Sequence, residues 1–340
     1  MPPCYRSVNN FSDPQQNVEQ WSEYLSKRKA RFEENERLNR LLIESLEKHP
    51  HGKRMASMVK SCSVRVLVQN GKAEKRVFSC NVRFCARCFQ RTQSERRKVL
   101  ERTFQKVREK TNALTYAWVT LTMRPTKHNN LRHRITTLRK NLTEFLRSKE
   151  ARKVITSAYY RIEVTRNFKT GHWNTHAHLC VLSDVQRNVL ESQIRAHWKL
   201  GDVIDVRRWR IEEHSEVAME LCKGQLCSYL TKPFSDKLRP GDLAEAVLAF
   251  KGVRTCGAWG VIRVFIQEAK SELEEEFKKA REEDEHRHET EPTPPEDFEK
   301  LPDGLYTLAD LFGFIIEGGR FVQYSLYCLR VLKWTPLDTS

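Results

Sequence analysis

Polar and apolar positions alternate most clearly over residues 173–182, the run Trp173, Asn174, Thr175, His176, Ala177, His178, Leu179, Cys180, Val181, Leu182. That period of two, with Thr, Val and Leu well suited to a pleated surface, predicts a half-buried strand. Ala177, Leu179 and Val181 face a core, while His176 and His178 share the other face. Side chains two apart on a strand have Cα atoms about 6.6 Å apart, close enough for two imidazoles to hold one cation. The alternative is a pair of histidines that only hydrogen-bond at a sheet surface. The same period marks strands at Ala117–Met123, Ser157–Thr165 and Val203–Trp209.

Helical spacing separates these strands. Residues 15–50 read as a long amphipathic helix with Val18, Trp21, Leu25, Phe32, Leu38, Leu42 and Leu46 on its stripe, stopped by His49-Pro50-His51-Gly52. It suits a packing arm, a dimer element or a DNA-contacting helix. Leu131 to Leu146 reads as a basic helix burying Ile135, Leu138, Leu142, Phe145 and Leu146. Asp184 is placed to cap a helix through Val185, Val189, Ile194 and Trp198, and another helix runs from Ser215 to Leu230. Residues 249–267 read as a glycine-punctuated closing loop and strand, and 303–335 as a small hydrophobic element.

Two hairpins follow from turn chemistry. Asn70-Gly71 lies between the β-branched runs Val64, Val66, Val68 and Val77, Phe78, a strong short-range hairpin signal. Its open end brings Cys62 to Cys80, and Cys85 and Cys88 follow at a chelating spacing. Four thiolates around Zn²⁺ would make a closed structural site. The second hairpin joins strand 157–165 to strand 173–182. If its loop is centred between Lys169 and Thr170, Glu163 lies directly opposite His176 on the same face. Two imidazoles and a carboxylate there suit Mg²⁺ or Mn²⁺ in an open, partly hydrated shell. Glu163 is otherwise a solvent carboxylate paired with Arg161 or Arg166.

Charge adds a partner. The 340 residues carry a net +16, yet residues 271–300 hold 13 acidic and 5 basic residues, so the remainder carries +24. A body that basic predicts a polyanion, most simply nucleic acid. Arg83, Arg87 and Arg91 surround the cysteines, and Arg124 and Arg161 end or line the strands; all five are candidate DNA contacts. No apolar run is long enough for a membrane span, and the N-terminus lacks a signal-peptide core. The expectation is a cytoplasmic protein whose ten cysteines are thiols or metal ligands. Tyr229 and Lys232 lie one helical turn apart, and an ammonium beside a phenol favours its attack as phenolate.

In order, the cysteine run, the Thr120-Leu121-Thr122 strand, Trp173 to His178, and Tyr229-Leu230-Thr231-Lys232 resemble the rolling-circle plasmid replication initiators of the HUH endonuclease superfamily. The likeness is to the single-tyrosine type with an N-terminal zinc-binding cysteine module, and it covers about residues 60–265. It implies an α+β fold: a central antiparallel sheet of ferredoxin-like type flanked by helices, with a helical N-terminal arm and a small zinc module. It implies that His176 and His178 bind the divalent ion with Glu163 as third ligand. It implies that Tyr229 attacks a phosphodiester at a plasmid origin, leaving a 5′-phosphotyrosine and a 3′-OH for synthesis, with Lys232 positioning phosphate or phenol. The implied partners are single-stranded or melted origin DNA, host replication proteins such as a helicase, and a second copy in a homodimer.

Two positions depart from the family pattern. Asn174 stands where members often carry a further histidine. Gln225 stands near where relatives tend to place a glutamate, one turn before the tyrosine, to activate water at termination; Glu220 is over two turns away. The expected organisation is a helical arm at 1–55, zinc module and basic helix at 56–112, endonuclease domain at 113–268, acidic linker at 269–300 and hydrophobic element at 301–340. The rival readings are an HUH transposase or relaxase with the same strand chemistry, and a non-catalytic zinc-ribbon DNA-binding regulator.

Overall fold

The computed structural model describes residues 14–70, 72–124, 130–167, 169–210, 214–222, 240–287, 301–307, 311 and 328. They fall into two compact units, one drawn from residues 1–39, 61–79 and 288–340, the other from 40–60 and 80–287. Helix α1 (Pro14–Glu47) is continuous, with Leu38, Leu42 and Leu46 buried as its stripe predicts. A helix not expected from the sequence, α2 (Lys53–Ser61), follows the Pro-Gly stop and buries Met55, Ala56 and Val59.

In the smaller unit, β1 (Ser63–Gln69) and β2 (Lys72–Phe78) form the expected hairpin. Gln69 pairs with Lys72, and Asn70 adopts φ 53°, the left-handed conformation an Asn-Gly turn favours. A strand at Gly304–Thr307, β8 in chain order, adds antiparallel to β1, and Asn70 N–H donates to the Asp303 carboxylate at 2.9 Å. It lies inside the hydrophobic element expected at 303–335.

The larger unit is built on five antiparallel strands. They are β3 (Thr115–Thr122), β4 (Ser157–Arg166), β5 (Trp173–Ser183), β6 (Ile204–Arg208) and β7 (Cys256–Trp259), in the order β6-β3-β5-β4-β7. Helices α4 (Leu131–Arg147) and α5 (Lys149–Arg152) connect β3 to β4, and α6 (Arg187–His197) connects β5 to β6. Both linked strand pairs are parallel but not adjacent, so these elements make a split βαββαβ unit of the ferredoxin-like kind. The strand carrying both histidines is therefore the middle one.

Each face has its own reason to be covered. Ala117, Val119 and Leu121 of β3, Ile162 and Val164 of β4, and Ala177, Leu179 and Val181 of β5 are all buried. The α4 stripe of Ile135, Leu138, Leu142, Phe145 and Leu146 is buried as expected. Fully burying a residue such as Leu138 contributes roughly 1.5–3 kcal/mol. On the other face, α3 (Ala86–Lys110), α7 (His214–Cys222) and a long helix, α9 (Val261–Arg287), form a second core with Tyr159, Cys180 and Trp209. Trp209 meets Phe104 and Tyr116 edge-on at centroid distances of 5.7 and 5.6 Å. This cluster covers one end of the sheet and leaves the histidine end half-buried.

One local expectation needs correction and two need refinement. The helix expected to be capped by Asp184 begins at Arg187 behind Gln186, which makes no side-chain cap, because Ser183 and Val185 spend their polar groups on each other in the preceding turn. Residues 249–267 hold the expected loop and strand, but set between two helices: α8 (Pro240–Phe250) ends just before Lys251, β7 is only four residues long, and α9 starts at Val261. Alternation there is too short to fix a strand, and Val261 N–H finds its partner in the Ser157 hydroxyl at 2.8 Å. The acidic run begins as a helix tail: α9 carries it as far as Arg287, and Glu268, Glu272 and Glu276 are met by Lys106, Arg102 and Lys110 of α3.

Candidate active site

The β4–β5 ladder sets the site. Glu163 lies directly opposite His176, and Arg161 opposite His178, the register expected from the loop. A slip of one residue would have turned Glu163 to the other face. Glu163 Oε2 is 3.6 Å from His176 Nε2 and 3.4 Å from His178 Nε2. The two rings meet at 82° with centroids 4.8 Å apart. Three candidate ligand atoms of these residues thus lie within 4.8 Å of one another.

Two imidazole nitrogens and a carboxylate oxygen converging from one side, half exposed on the other, fit a divalent ion with open positions for water and substrate. Burial works to raise the Glu163 carboxyl. Hydrogen bonds with His176 and His178, with the charges of His178 and Arg161, overcome that and hold it at about 2. Above that pH the group is a ready anionic ligand, and protons do not compete for it.

Neighbours from β3 aim the second ring. His178 Nδ1 lies 3.1 Å from Thr120 Oγ1, and the Trp118 ring packs 5.3 Å away by centroid. With Nδ1–H donating to the hydroxyl, Nε2 keeps its lone pair for a metal; outer partners of this kind fix tautomer and orientation. Replacing Thr120 with valine keeps the shape and removes the acceptor. Mn²⁺ affinity, read by titration calorimetry, should fall about tenfold; an unchanged affinity would show that the hydroxyl does not set the ring.

Backbone supports hold the strand ends. Arg134 of α4 is 2 % exposed and donates to the Arg124 carbonyl at 3.0 Å and to Thr175 Oγ1 at 3.3 Å. It thereby ties the end of β3 to the residue preceding His176. Gly201 passes so close to β3 that a Cβ there would sit 2.0 Å from the Thr122 carbonyl oxygen. The ring of Trp173, at the start of β5, stacks under Arg166 at 4.7 Å and donates its indole N–H to Glu245 at 3.1 Å.

The cysteines form a second group. Cys62 and Cys80 flank the hairpin's open end, Cys85 is the N-cap of α3 and Cys88 lies in its first turn. All four are buried, and within the larger unit the Cys80 and Cys88 sulfur atoms lie 3.7 Å apart. Tetrahedral thiolates at a Zn–S distance of about 2.3 Å stand about 3.8 Å apart, so the Cys80–Cys88 spacing suits two ligands of one such ion.

The candidate DNA contacts are spread differently. Arg83 donates to the Val253 carbonyl at 3.0 Å and Thr255 Oγ1 at 3.2 Å, and burial, together with the Arg96 and Arg161 charges, lowers its pKa. Arg161 is 8 % exposed and donates to the Leu221 carbonyl. Arg124 is exposed and paired with Asp202 at 2.8 Å. Arg87 is half-buried in the first turn of α3. Tyr229, Lys232, Gln225 and the Arg91 side chain lie outside the described residues. Thr120 and Arg134 were missed as contributors; only the shared parity of Thr120 with His178 across the ladder could have flagged the first.

No described helix is long and apolar enough to cross a membrane. No curated protein and no solved structure matches the chain. The family model Rep_1, "Replication protein", matches residues 71–191, which contain β3, β4, β5 and all three members of the His–His–Glu group. That stretch of the chain, about a third of it, is thus similar to the replication proteins of this family.

Proposed function

We propose that the protein nicks one DNA strand at a plasmid origin and keeps the 5′ end covalently attached. The observation that carries this is the convergence of His176 Nε2, His178 Nε2 and Glu163 Oε2 on the middle strand of a ferredoxin-like sheet, inside the stretch that matches the replication proteins. A Mg²⁺ or Mn²⁺ ion held by those three residues would draw negative charge off a phosphoryl oxygen.

The chain's own groups do the rest. The phenol oxygen of Tyr229 attacks phosphorus and forms a phosphotyrosine bond. The P–O3′ bond breaks, and the leaving oxygen takes up a proton to become a 3′-OH that can prime synthesis. Lys232, three positions after Tyr229 in the sequence, favours the phenolate and steadies the phosphate. Glu163 keeps the metal site anionic, and Thr120 holds the His178 ring in the tautomer a ligand needs. Arginines on the basic body supply phosphate contacts that set strand position. The cysteine group would hold Zn²⁺ as a structural ion.

Incubation of the full chain with Mn²⁺ and a single-stranded origin oligonucleotide tests this. A detergent-resistant protein–DNA adduct is expected, and Tyr229→Phe should reduce it to background. Tight binding without any adduct would leave a non-catalytic DNA-binding regulator; an adduct formed only on transposon ends or transfer origins would make it a transposase or relaxase.

A further inference from the structure

Beside the His–His–Glu group lies a cavity of about 130 Å³ between the N-terminal half of α3 and the edge of the sheet. One water needs only about 10–15 Å³ of such space, so it has room for a larger group. Arg83, Arg96 and Arg161 line it, with the amides of Asn81 and Gln93 and the Tyr159 side chain. No aspartate or glutamate is among its lining residues. Among the described residues neither Arg83 nor Arg96 has a carboxylate partner, and Arg161 shares Glu163 with two histidines, its Nε 3.9 Å from Oε1.

Three guanidiniums converging with no nearby carboxylate but the shared Glu163 is a costly arrangement for an empty cavity. Arg83 shows that cost: two of its donors are committed to Val253 and Thr255, while burial and the neighbouring Arg96 and Arg161 charges disfavour its charged form. An anion entering the cavity would relieve both terms at once. Phosphate is the anion best matched to forked guanidinium donors.

We infer that this cavity receives a backbone phosphate of the DNA strand adjacent to the phosphodiester held at the His–His–Glu group. The inference rests on the proposed nicking reading for the identity of the strand. Arg161 is the link, because it lines the cavity and lies directly across the ladder from His178. A strand with one phosphate at the metal group reaches the arginines with a neighbouring one. Asn81, Gln93 and Tyr159 then meet the attached sugar or base. The cavity fixes the register of the strand, so that one particular phosphodiester meets the metal group.

The test reads binding alone, in EDTA, so a failure of cleavage chemistry does not enter it. Anisotropy of a short fluorescein-labelled single-stranded oligonucleotide is followed across a salt series with the full chain. Arg96→Ala removes an exposed side chain from a helix surface and should weaken binding several-fold, and the slope of log K against log salt should shrink by about 0.7, the loss of one phosphate contact on a single strand. Arg83→Lys keeps the charge but loses the fork; it should weaken binding while leaving the slope nearly unchanged. Wild-type affinity and slope in both variants would overturn the inference. Thymidine monophosphate added to the wild-type chain separates strand from free nucleotide. Competition weakened alike in both variants supports a phosphate site used by the strand, whereas nucleotide binding lost in the variants with strand binding intact overturns it. If the variants lose affinity as expected and Tyr229→Phe still forms an adduct, it is the nicking reading that fails.

Discussion

His176→Ala is expected to cut formation of the protein–DNA adduct about a thousandfold while leaving affinity for the single-stranded oligonucleotide within about twofold. The magnitude comes from the charge at stake. Polarisation of a phosphoryl oxygen by a bound divalent ion is worth several kcal/mol in the transition state; about 4 kcal/mol corresponds to a factor of about a thousand. Removing one of three convergent donors leaves His178 and Glu163 too few to fix the ion, and the 3.6 Å contact that joins His176 to Glu163 goes with it. Affinity is a separate quantity. It is dominated by Lys and Arg contacts to phosphates, and His176 is only half exposed on the sheet. Adduct yield on denaturing gels and anisotropy in EDTA read the two independently. Equal collapse of both would make the histidines architectural, and an adduct of undiminished yield would remove them from the chemistry.

The parts of this fold that could be read from the chain are those governed by short-range rules. The Glu163–His176 pairing followed from a tight loop through Asn167 and Gly171 and from the strict alternation of β5, since side-chain parity leaves a hairpin few registers. The β1–β2 hairpin followed from Asn70-Gly71 for the same reason. The stripe of α4 was legible too, apart from Arg134, whose burial depends on carbonyls at the end of β3 and on Thr175 of a strand far along the chain. α8 escaped notice because Leu243, Ala244, Ala246, Val247, Ala249 and Phe250 are apolar on nearly every side, a pattern with no period to detect. The arginine cavity is less legible still. Arg83, Arg96 and Arg161 come from a loop, a helix and a strand, and nothing in their spacing announces that they meet. Local pattern fixes which face a residue takes, whereas convergence of residues from distant elements is decided by packing.

That distinction bears on the cysteines, whose spacing is local but whose closure is not. Cys85→Ser is expected to abolish stoichiometric zinc and to destabilise the region around the start of α3 by several kcal/mol. Cys85 is the wholly buried N-cap of this helix, with no side-chain cap hydrogen bond of its own. A thiolate there is stabilised by a bound ion. Serine could cap the helix, a gain of about 1 kcal/mol, but a neutral hydroxyl is a poor zinc ligand. Structural zinc contributes about 10–16 kcal/mol of apparent binding free energy in small domains, so even partial loss outweighs the improved cap. Bound zinc measured by atomic absorption should fall from about one per chain to near none. Thermal unfolding followed by circular dichroism should move down, and excess chelator should produce the same shift in the wild-type chain. The His–His–Glu group lies on other elements, so Mn²⁺ titration of the variant at low temperature should still find its site. Retention of zinc by Cys85→Ser, or no response of the wild-type chain to chelator, would reduce the four sulfurs to packing.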